Sequence, residues 1–510
     1  MKFKRMTPLG KVYLVGAGPG DPGLLTLKGK RCLEEADLVL YDGLVNPLLL
    51  RHTKATAERT SRADANGKRT LNQAEINARL VAAGLEGKIV VRLKGGDPFI
   101  FGRGSEEAKA LADAGVPFEV IPGITAATAA SEYAGISLTH REKASAVAFI
   151  TGHEDPQKPE LMLKYSELAK FPGTLVFYMG LHRLPAISAS LIENGMPSET
   201  RVAVISRGST PLQKTVTGAL SEIPSLVKAA ELRPPSLIIV GDCVTQRDEI
   251  NWFESLPLAG MTIGITRPVH QAENAIELAH LFGARPILMP TMEIRPVEDW
   301  TKVDRAIESI EEYDWIILTS VNGVDAFLNR IWELGKDSRI LAHAKIACIG
   351  PATAERLESY SLRADLIPEV YRGEELAYAL REHVAGKKVL WARANRGREV
   401  LPEILRSVGA DFESLVVYEH HEISQLDEVA IHALTNGEVD WIALSSPTIA
   451  RSVAEQLAKL DLAKSPKFAV ISPVTEAAAI EAGLTVSAVA SVHTWEGLFD
   501  SIKNSTKALC

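Results

Sequence analysis

KVYLVGAGPGDPG, residues 11–23, sets an apolar run against a glycine turn, and LLTLKGKRCLEEA, residues 24–36, follows with a helical pattern. A strand, a glycine-rich turn and a helix in that order are the unit from which nucleotide-binding α/β sheets are built. A dinucleotide fingerprint needs three glycines, G-x-G-x-x-G; Gly16 and Gly18 fill the first two positions, but Asp21 stands at the third. Pro19 has no N–H to give a phosphate. A carboxylate at 21 would repel a pyrophosphate held at a helix N-terminus. Asp42, in DLVLYD (37–42), stands about 20 residues on and mimics the ribose-binding acid. The plainer reading makes Asp21 a helix cap after a glycine turn.

Outward from this stretch, short β-branched runs alternate with helical patterns, which predicts an α/β fold. In the first half the runs are KVYLVG, DLVLYD, KIVVRLKGG, PFEVIPG, SAVAFITG, GTLVFYMG, RVAVISRG and SLIIVGD. Almost all end in Gly, Asp or a small polar residue, and ligands of open α/β sheets sit beyond the carboxyl ends of strands. The chain of 510 residues has the length of about two to four domains. Its 46% hydrophobic and 24% charged residues are those of an ordinary globular protein. A formal net charge of -8 argues against bulk nucleic-acid binding while leaving room for a small anionic substrate. No apolar run has the length of a membrane span. The opening MKFKRMTPLG is basic without a following apolar region, so no signal peptide is expected. Cys32, Cys243, Cys348 and Cys510 lie far apart, which points to neither a zinc site nor a disulfide framework and suits a reducing cytoplasm.

The polar, then Pro/Gly-punctuated stretch TQRDEINWFESLPLAG (245–260) reads as a linker, with residues 246–259 dividing a first domain (10–245) from a second (260–505). The second part repeats itself. YDWIILTSVNGVDAFLNRI (313–331) matches VDWIALSSPTIARSVAEQL (439–457), and KIACIGPATAERL (345–357) matches KFAVISPVTEAAA (467–479). GMTIGITRP, from Gly260, matches GKKVLWARA, from Gly386. A near-constant offset of roughly 120–130 residues is too long for a solenoid and predicts two similar α/β lobes facing across a cleft.

Further motifs give the glycine loop its meaning. VVRLKGGDPFIFGRG (90–104) is a strand, a glycine loop, an acid and an exposed-looking aromatic run. VIPGITAATAASEYAGISLTHR (120–141) is a strand, a turn and a helix of small residues, and VFYMGL and VISRGST are two more glycine-bearing strand ends. Together they resemble the tetrapyrrole methylases, of the uroporphyrinogen-III C-methyltransferase kind, over roughly residues 10–245. The resemblance implies a fold of two α/β subdomains and S-adenosylmethionine (SAM) as methyl donor, released as S-adenosylhomocysteine. It places the SAM contacts at Pro19, Gly95, Gly96, Asp97, Ile100, Thr125, Ala126, Met179 and Gly208. It assigns Asp42 as the base that takes a proton from the macrocycle and His140 and Arg141 as partners of substrate carboxylates. The family's lysine proton donor falls on Asp64 here, in RTSRADANGKRTLNQAEIN (59–77), where Arg62, Lys68 and Arg69 are the nearby cations. Family methylases are dimers, so a homodimer through this half is expected.

GITRP, ILTSVNGV, CIGPATA, VYRGEEL, VVYEH, LSSPT and VISPVTEAA, in that order, resemble uroporphyrinogen-III synthase over about 260–505. The resemblance implies two α/β domains with the chain crossing between them twice, and cyclisation of hydroxymethylbilane without metal or redox cofactor. Tyr418 is then the first candidate acid and Thr475 the second. Thr319, Ser320, Ser445, Ser446, Thr353, Arg267 and Arg393 are candidate substrate contacts, paired across the repeat. Helix capping is the competing reading for each Ser or Thr, and a solvated strand end for His420 and His421. The product of the synthase half would be the substrate of the methylase half, and the final product a dimethylated ring (precorrin-2) of the siroheme or cobalamin branch. The rival readings are a methylase of this fold acting on RNA or a modified histidine, and a nonenzymatic two-lobed binding module at the C-terminal end.

Overall fold

A computed structural model describes residues 10–60, 71–152, 163–397 and 399–507. Asp64, Arg62, Lys68, Arg69 and Cys510 lie outside the described residues. The chain divides into two compact units. One holds the described residues up to Ile263 with Glu277–Pro286 and the end from Thr506; the other holds Gly264–Ile276 and Ile287–Ser505. No helix among the described residues is long and apolar enough to cross a membrane.

The first sheet is built from β1 (Lys11–Gly16), β2 (Leu38–Tyr41), β3 (Thr56–Arg59), β4 (Ile89–Lys94) and β5 (Phe118–Ile121), in the order β3-β2-β4-β1-β5. All its ladders are parallel. Helices cover both faces, so the central strands are apolar on both sides. Val12, Leu14, Leu40 and Val90 pack into one core, and Val15, Val39, Val91 and Leu93 into the other. The helix expected after the glycine turn starts at Leu27, where Thr26 Oγ1 accepts the Gly29 N–H at 3.0 Å. Asp21 does cap, but a short 3-10 turn: it accepts the Gly23 N–H at 2.7 Å.

The second sheet holds β6 (Val147–Thr151), β7 (Thr174–Tyr178), β8 (Arg201–Ser206), β9 (Lys214–Ala219) and β10 (Ser236–Val240), in the order β6-β7-β10-β8-β9. It is mixed, with β6 and β7 parallel and the remaining ladders antiparallel. Residues 246–259, expected as a linker, are folded onto this first unit. Trp252 Nε1 donates to the Glu132 carbonyl at 3.0 Å, Arg247 pairs with Glu254 at 2.6 Å, and Phe253 is buried against Tyr133.

The second half forms two more five-stranded sheets. One takes β11 (Thr262–Ile265), β12 (Arg285–Leu288), β18 (Trp441–Leu444), β19 (Lys467–Val470) and β20 (Val486–Val489), in the order β12-β11-β18-β19-β20. The other takes β13 (Met292–Pro296), β14 (Trp315–Leu318), β15 (Lys345–Cys348), β16 (Lys388–Ala394) and β17 (Asp411–Glu422), in the order β13-β17-β16-β14-β15. The repeat is visible in the strand order. The run β12-β11-β18-β19 corresponds to β17-β16-β14-β15, and the bridge from Ala347 to Leu366 takes the place of β20. Because one sheet takes strands from both ends of this half, the chain passes from lobe to lobe twice.

Candidate active sites

In the first unit the loops at the carboxyl ends of the strands converge. Gly18 and Gly96 exchange backbone hydrogen bonds, Gly18 N–H to Gly96 O at 3.3 Å and Gly96 N–H to Gly18 O at 2.8 Å. The approach demands glycine: a Cβ on Gly16 would lie 2.5 Å from Gly123 Cα, and one on Gly123 would lie 2.4 Å from the Gly96 oxygen. Here the glycines let three backbones meet one another.

Asp42 leaves the end of β2. Its Oδ1 accepts the Leu44 N–H and its Oδ2 the Gly95 N–H, both at 3.0 Å. Asp97 holds the next loop: Oδ1 accepts from Phe99 N at 2.8 Å and Ile100 N at 3.2 Å, and Oδ2 from Gly123 N at 3.0 Å. A carboxylate offers about four acceptor positions, so Asp97 keeps one for a ligand. The Ala126–Tyr133 helix follows, and Thr125 Oγ1 lies 2.6 Å from the Tyr178 hydroxyl, which also accepts the Ala127 N–H at 2.9 Å. Burial pushes the Tyr178 pKa up. Met179 comes next, 53% exposed. A Cβ on Gly208 would meet Ala130 Cβ at 2.3 Å, and one on Gly20 would come within 3.1 Å of the Gly208 oxygen, so the opening loop touches the end of β8.

These contacts bring the loops of Pro19, Asp42, Gly95, Gly96, Asp97, Ile100, Thr125, Ala126, Met179 and Gly208 together. His140 and Arg141 lie on the turn after the helix. The contacts of His140 stay inside that turn, with Nδ1 accepting the Glu142 N–H at 3.2 Å. Left-handed backbone at Phe101 (φ 53), Arg103 (φ 56), Met179 (φ 56), Arg207 (φ 51) and Ser209 (φ 56) concentrates here, and such strain gathers at functional sites. The sequence did not single out Tyr178, on which Phe101 and Phe149 pack with centroids at 4.8 and 6.0 Å. Nor did it single out Leu44, or the buried Arg92, Lys94 and Glu107. The exposed aromatic run in PFIFG, whose Phe101 packs on Tyr178, was the one visible signal for Tyr178.

In the second half a cavity of about 250 Å³ is lined by Thr319, Ser320, Trp391, Arg393, Tyr418 and His420, among others. The Tyr418 hydroxyl lies 2.9 Å from Ser320 Oγ, and burial raises its pKa. Ser320 also caps the Val321–Glu333 helix by accepting the Gly323 N–H at 3.0 Å, and Ser446 caps the Pro447–Leu457 helix in the same way at 3.3 Å. Thr319 Oγ1 accepts the Trp391 indole N–H at 3.0 Å. Arg393 stacks on Trp391 at 4.1 Å, and its donors serve Ala394 O, Gly397 O and Glu399. Its repeat partner Arg267 stands 5.8 Å from the Trp495 ring and donates to Ser445 at 3.4 Å. Thr353 and Thr475 are buried at the starts of equivalent helices, and Thr475 Oγ1 lies 3.1 Å from Ser472 Oγ. His420, read as a solvated strand end, lines the cavity with its ring 5.3 Å from that of Tyr418.

Residues 11–224 match the family model of tetrapyrrole (corrin/porphyrin) methylases, and residues 274–500 match that of uroporphyrinogen-III synthase HemD. A porphyrin biosynthesis protein HemD of Ruminiclostridium josui is 36% identical over 438 residues, covering 86% of this chain and 87% of its own. The chain belongs to that porphyrin-biosynthesis family, a tetrapyrrole methylase joined to a uroporphyrinogen-III synthase. It is an enzyme of two parts, a methyltransferase and a synthase. The siroheme synthase of Hahella chejuensis is 50% identical over 245 residues, 48% of this chain; the chain spans about half, 52%, of that relative's length. A solved uroporphyrin-III C-methyltransferase of Thermus thermophilus is 41% identical over 48% of this chain and 97% of its own, with a TM-score of 0.40. The methylase part thus holds the Asp42 loops, and the synthase part holds the Tyr418 cavity.

Proposed function

We propose that the chain performs two consecutive steps of tetrapyrrole synthesis. The synthase part closes hydroxymethylbilane into uroporphyrinogen III with loss of water. The methylase part then moves two methyl groups from SAM to that ring to give precorrin-2. The observation that carries this reading is the exposed apolar lining of the loops that converge with Asp42. Leu44 beside Asp42, Phe99 beside Asp97, and Phe101, Phe149 and Met179 at Tyr178 are large apolar side chains left exposed on the strand-end loops, the arrangement that suits a flat ligand with a reacting carbon at its edge.

The loops also suit SAM. A Cβ on Gly96 would meet nothing closer than Ala126 N at 3.8 Å and Ile124 O at 3.9 Å, so the missing side chain leaves room beside an N–H and a carbonyl. Gly95, Gly96, Asp97, Thr125 and Ala126 would hold the donor there, with Pro19, Ile100, Met179 and Gly208 closing around it. SAM supplies a sulfonium-bound methyl that joins the ring carbon while the C–S electron pair returns to sulfur. Asp42 receives the proton that the macrocycle sheds, and the Leu44 and Gly95 amides keep its carboxylate oriented. In the synthase part Tyr418 gives a proton to the departing hydroxyl, which leaves as water, and Ser320 steadies the phenol. Thr475 is the second candidate acid. His140, Arg141, Arg267, Thr319, Thr353, Arg393, Ser445 and Ser446 are retained as substrate contacts, and a homodimer through the methylase part as the assembly.

The test is purified protein with hydroxymethylbilane and methyl-labelled SAM. The expected product is a type III ring carrying two labels. A type I ring alone would overturn the synthase reading. Absence of label even with uroporphyrinogen III supplied would overturn the methylase reading.

A further inference from the structure

Closing a ring with loss of water moves two protons. One must reach the departing hydroxyl. The other must leave the pyrrole carbon that makes the new bond, or that ring does not recover its aromatic electrons. The second proton needs an acceptor beside the reacting carbon, and the Tyr418 cavity holds a side chain of that kind.

β17 runs past the end of its ladder with β16, where Tyr418 pairs with Ala394. Beyond that point the Asn395 side chain continues the pairing. Its Oδ1 accepts the His420 N–H at 2.9 Å, and its Nδ2 donates to the His420 carbonyl at 3.4 Å. On the other edge His420 pairs with Ile294 of β13. Alternate residues of a strand face one side. This doubly held backbone therefore presents the Tyr418 and His420 rings together, edge to face with centroids 5.3 Å apart, in the wall of the cavity of about 250 Å³. His421 falls on the opposite face and has a partner, its Nε2 lying 2.7 Å from Glu419. His420 differs: its Nδ1 is buried and makes no hydrogen bond among the described residues. A buried polar atom left open costs free energy, and one kept open in a cavity wall calls for a reason.

The surroundings favour a neutral imidazole. Burial and then Arg396 push the His420 pKa down, while burial pushes that of Tyr418 up. Arg393 and Arg396 line the cavity from the end of β16 and the loop after it, paired with Glu399 and Glu422, and Glu374 completes the charged lining. Ile294, the β13 residue opposite, is neutral. Two groups in one cavity whose pKa values are driven apart in this way can serve as acid and base at one pH.

We propose that His420 is a catalytic residue of ring closure, the base that takes the proton from the pyrrole carbon. This rests on the reading of the cavity as the site of closure with Tyr418 as the acid. Tyr418 protonates the hydroxyl, and the C–O bond breaks with its electron pair leaving on water. A pyrrole carbon then bonds to the cationic methylene with a π pair. His420 takes the proton from that carbon, and the C–H pair left behind restores the aromatic ring. Net transfer of one proton from imidazolium to phenolate resets both side chains, so water is the only loss.

The test uses the full chain and follows type III ring formed from hydroxymethylbilane. His420→Ala should slow closure by about 10²-fold or more, and added imidazole should recover part of the loss. With deuterium on the reacting pyrrole carbon, His420→Ala should show a primary isotope effect larger than that of the unaltered chain. The acid limb of closure should lie below the ordinary histidine value of about 6.5 in the unaltered chain and vanish in His420→Ala. Slowed closure with neither imidazole rescue nor isotope effect marks a packing role and overturns the proposal. Normal closure in His420→Ala beside slow closure in Tyr418→Phe also overturns it and leaves the cavity as the site. Normal closure in both variants overturns the reading of the cavity itself. Should His420→Ala not fold, His420→Asn carries the rate, isotope and pH measurements.

Discussion

Tyr178→Phe tests whether one phenol ties the two sheets of the methylase part together. The Ala126–Tyr133 helix starts behind Thr125, a good capping residue whose side chain does not cap. Its hydroxyl turns to Tyr178 at 2.6 Å, and the Tyr178 oxygen accepts the Ala127 N–H at 2.9 Å. The end of β7 thus caps a helix that follows the first sheet. Tyr178 is 8% exposed, so removing its oxygen strands an N–H away from water. A stranded buried donor costs about 1–3 kcal/mol, and a lost cap about 0.5–2 kcal/mol. Thr125 can rotate to recover part of this, which sets the expectation at about 1.5 kcal/mol. A unit of this size loses roughly 2–4 °C of Tm per kcal/mol, so the calorimetric transition of the methylase part should fall by roughly 3–6 °C. The KM for SAM should rise with it. Burial raises the Tyr178 pKa, so its contribution is complete below the ordinary tyrosine value of about 10 and is lost only as pH climbs above it. The loss should therefore be equal at pH 6 and pH 8, two values well below that limit. A cycle with Thr125→Ala should show a coupling of at least about 0.5 kcal/mol in either direction. An unchanged Tm, or additivity within about 0.3 kcal/mol, would refute the strut.

Asp42→Asn should abolish most methyl transfer to supplied uroporphyrinogen III while cyclisation proceeds; unaltered labelling would remove Asp42 as the base. Tyr418→Phe should slow type III ring closure by about 10²-fold or more, the lower range for a positioned acid, and leave methylation of supplied ring intact; a normal closure rate would move the acid role to Thr475. Ser446→Ala, which removes a helix cap along with the proposed substrate contact, should cost about 0.5–2 kcal/mol of stability and raise the KM for hydroxymethylbilane; an unchanged KM would leave capping as its role. The Cys348 thiol, fully buried and pushed up to about 12, should resist aromatic disulfide reagents at pH 8 until the chain is unfolded; fast labelling of the folded protein at Cys348, read by peptide mapping, would contradict that burial.

The fold was largely legible because its strands are buried apolar runs and its turns carry glycine. The strands of the first half that escaped, β3 (TAER) and β9 (KTVTGA), are sheet edges, short and half-solvated, and such edges carry charge and polar residues rather than the apolar pattern that announces a central strand. The duplication was legible because both copies keep a strand–Ser–helix order. Chemistry was harder to read, because a sequence shows which groups exist and not which partners occupy them. Arg393 reads as a carboxylate binder, yet its donors are engaged by the 394–399 loop. Tyr178 reads as one more strand residue, and its role depends on a helix that starts some fifty residues earlier in the chain. Nothing in the sequence singles out Lys94 and Glu107, and only the fold buries them together.

The two copies of the synthase repeat differ at one strand, and the proposed acid Tyr418 stands on the longer one. Ser320 and Ser446 hold the same position and cap equivalent helices. In one copy the strand two places over from β18, β12, has four residues and ends at Leu288. Its counterpart β17 has twelve. After pairing with β16 it runs on to pair antiparallel with β13, setting Tyr418 opposite Pro296 and His420 opposite Ile294. The extension carries Tyr418 to within 2.9 Å of Ser320 and puts both residues in the cavity wall. Among the described residues no tyrosine hydrogen-bonds Ser446, because β12 stops before the position that would supply one. A hydroxyl at a helix start is a cap in both copies; it also meets a phenol, the pair to which proton donation is proposed, only where the neighbouring strand is long enough to reach it.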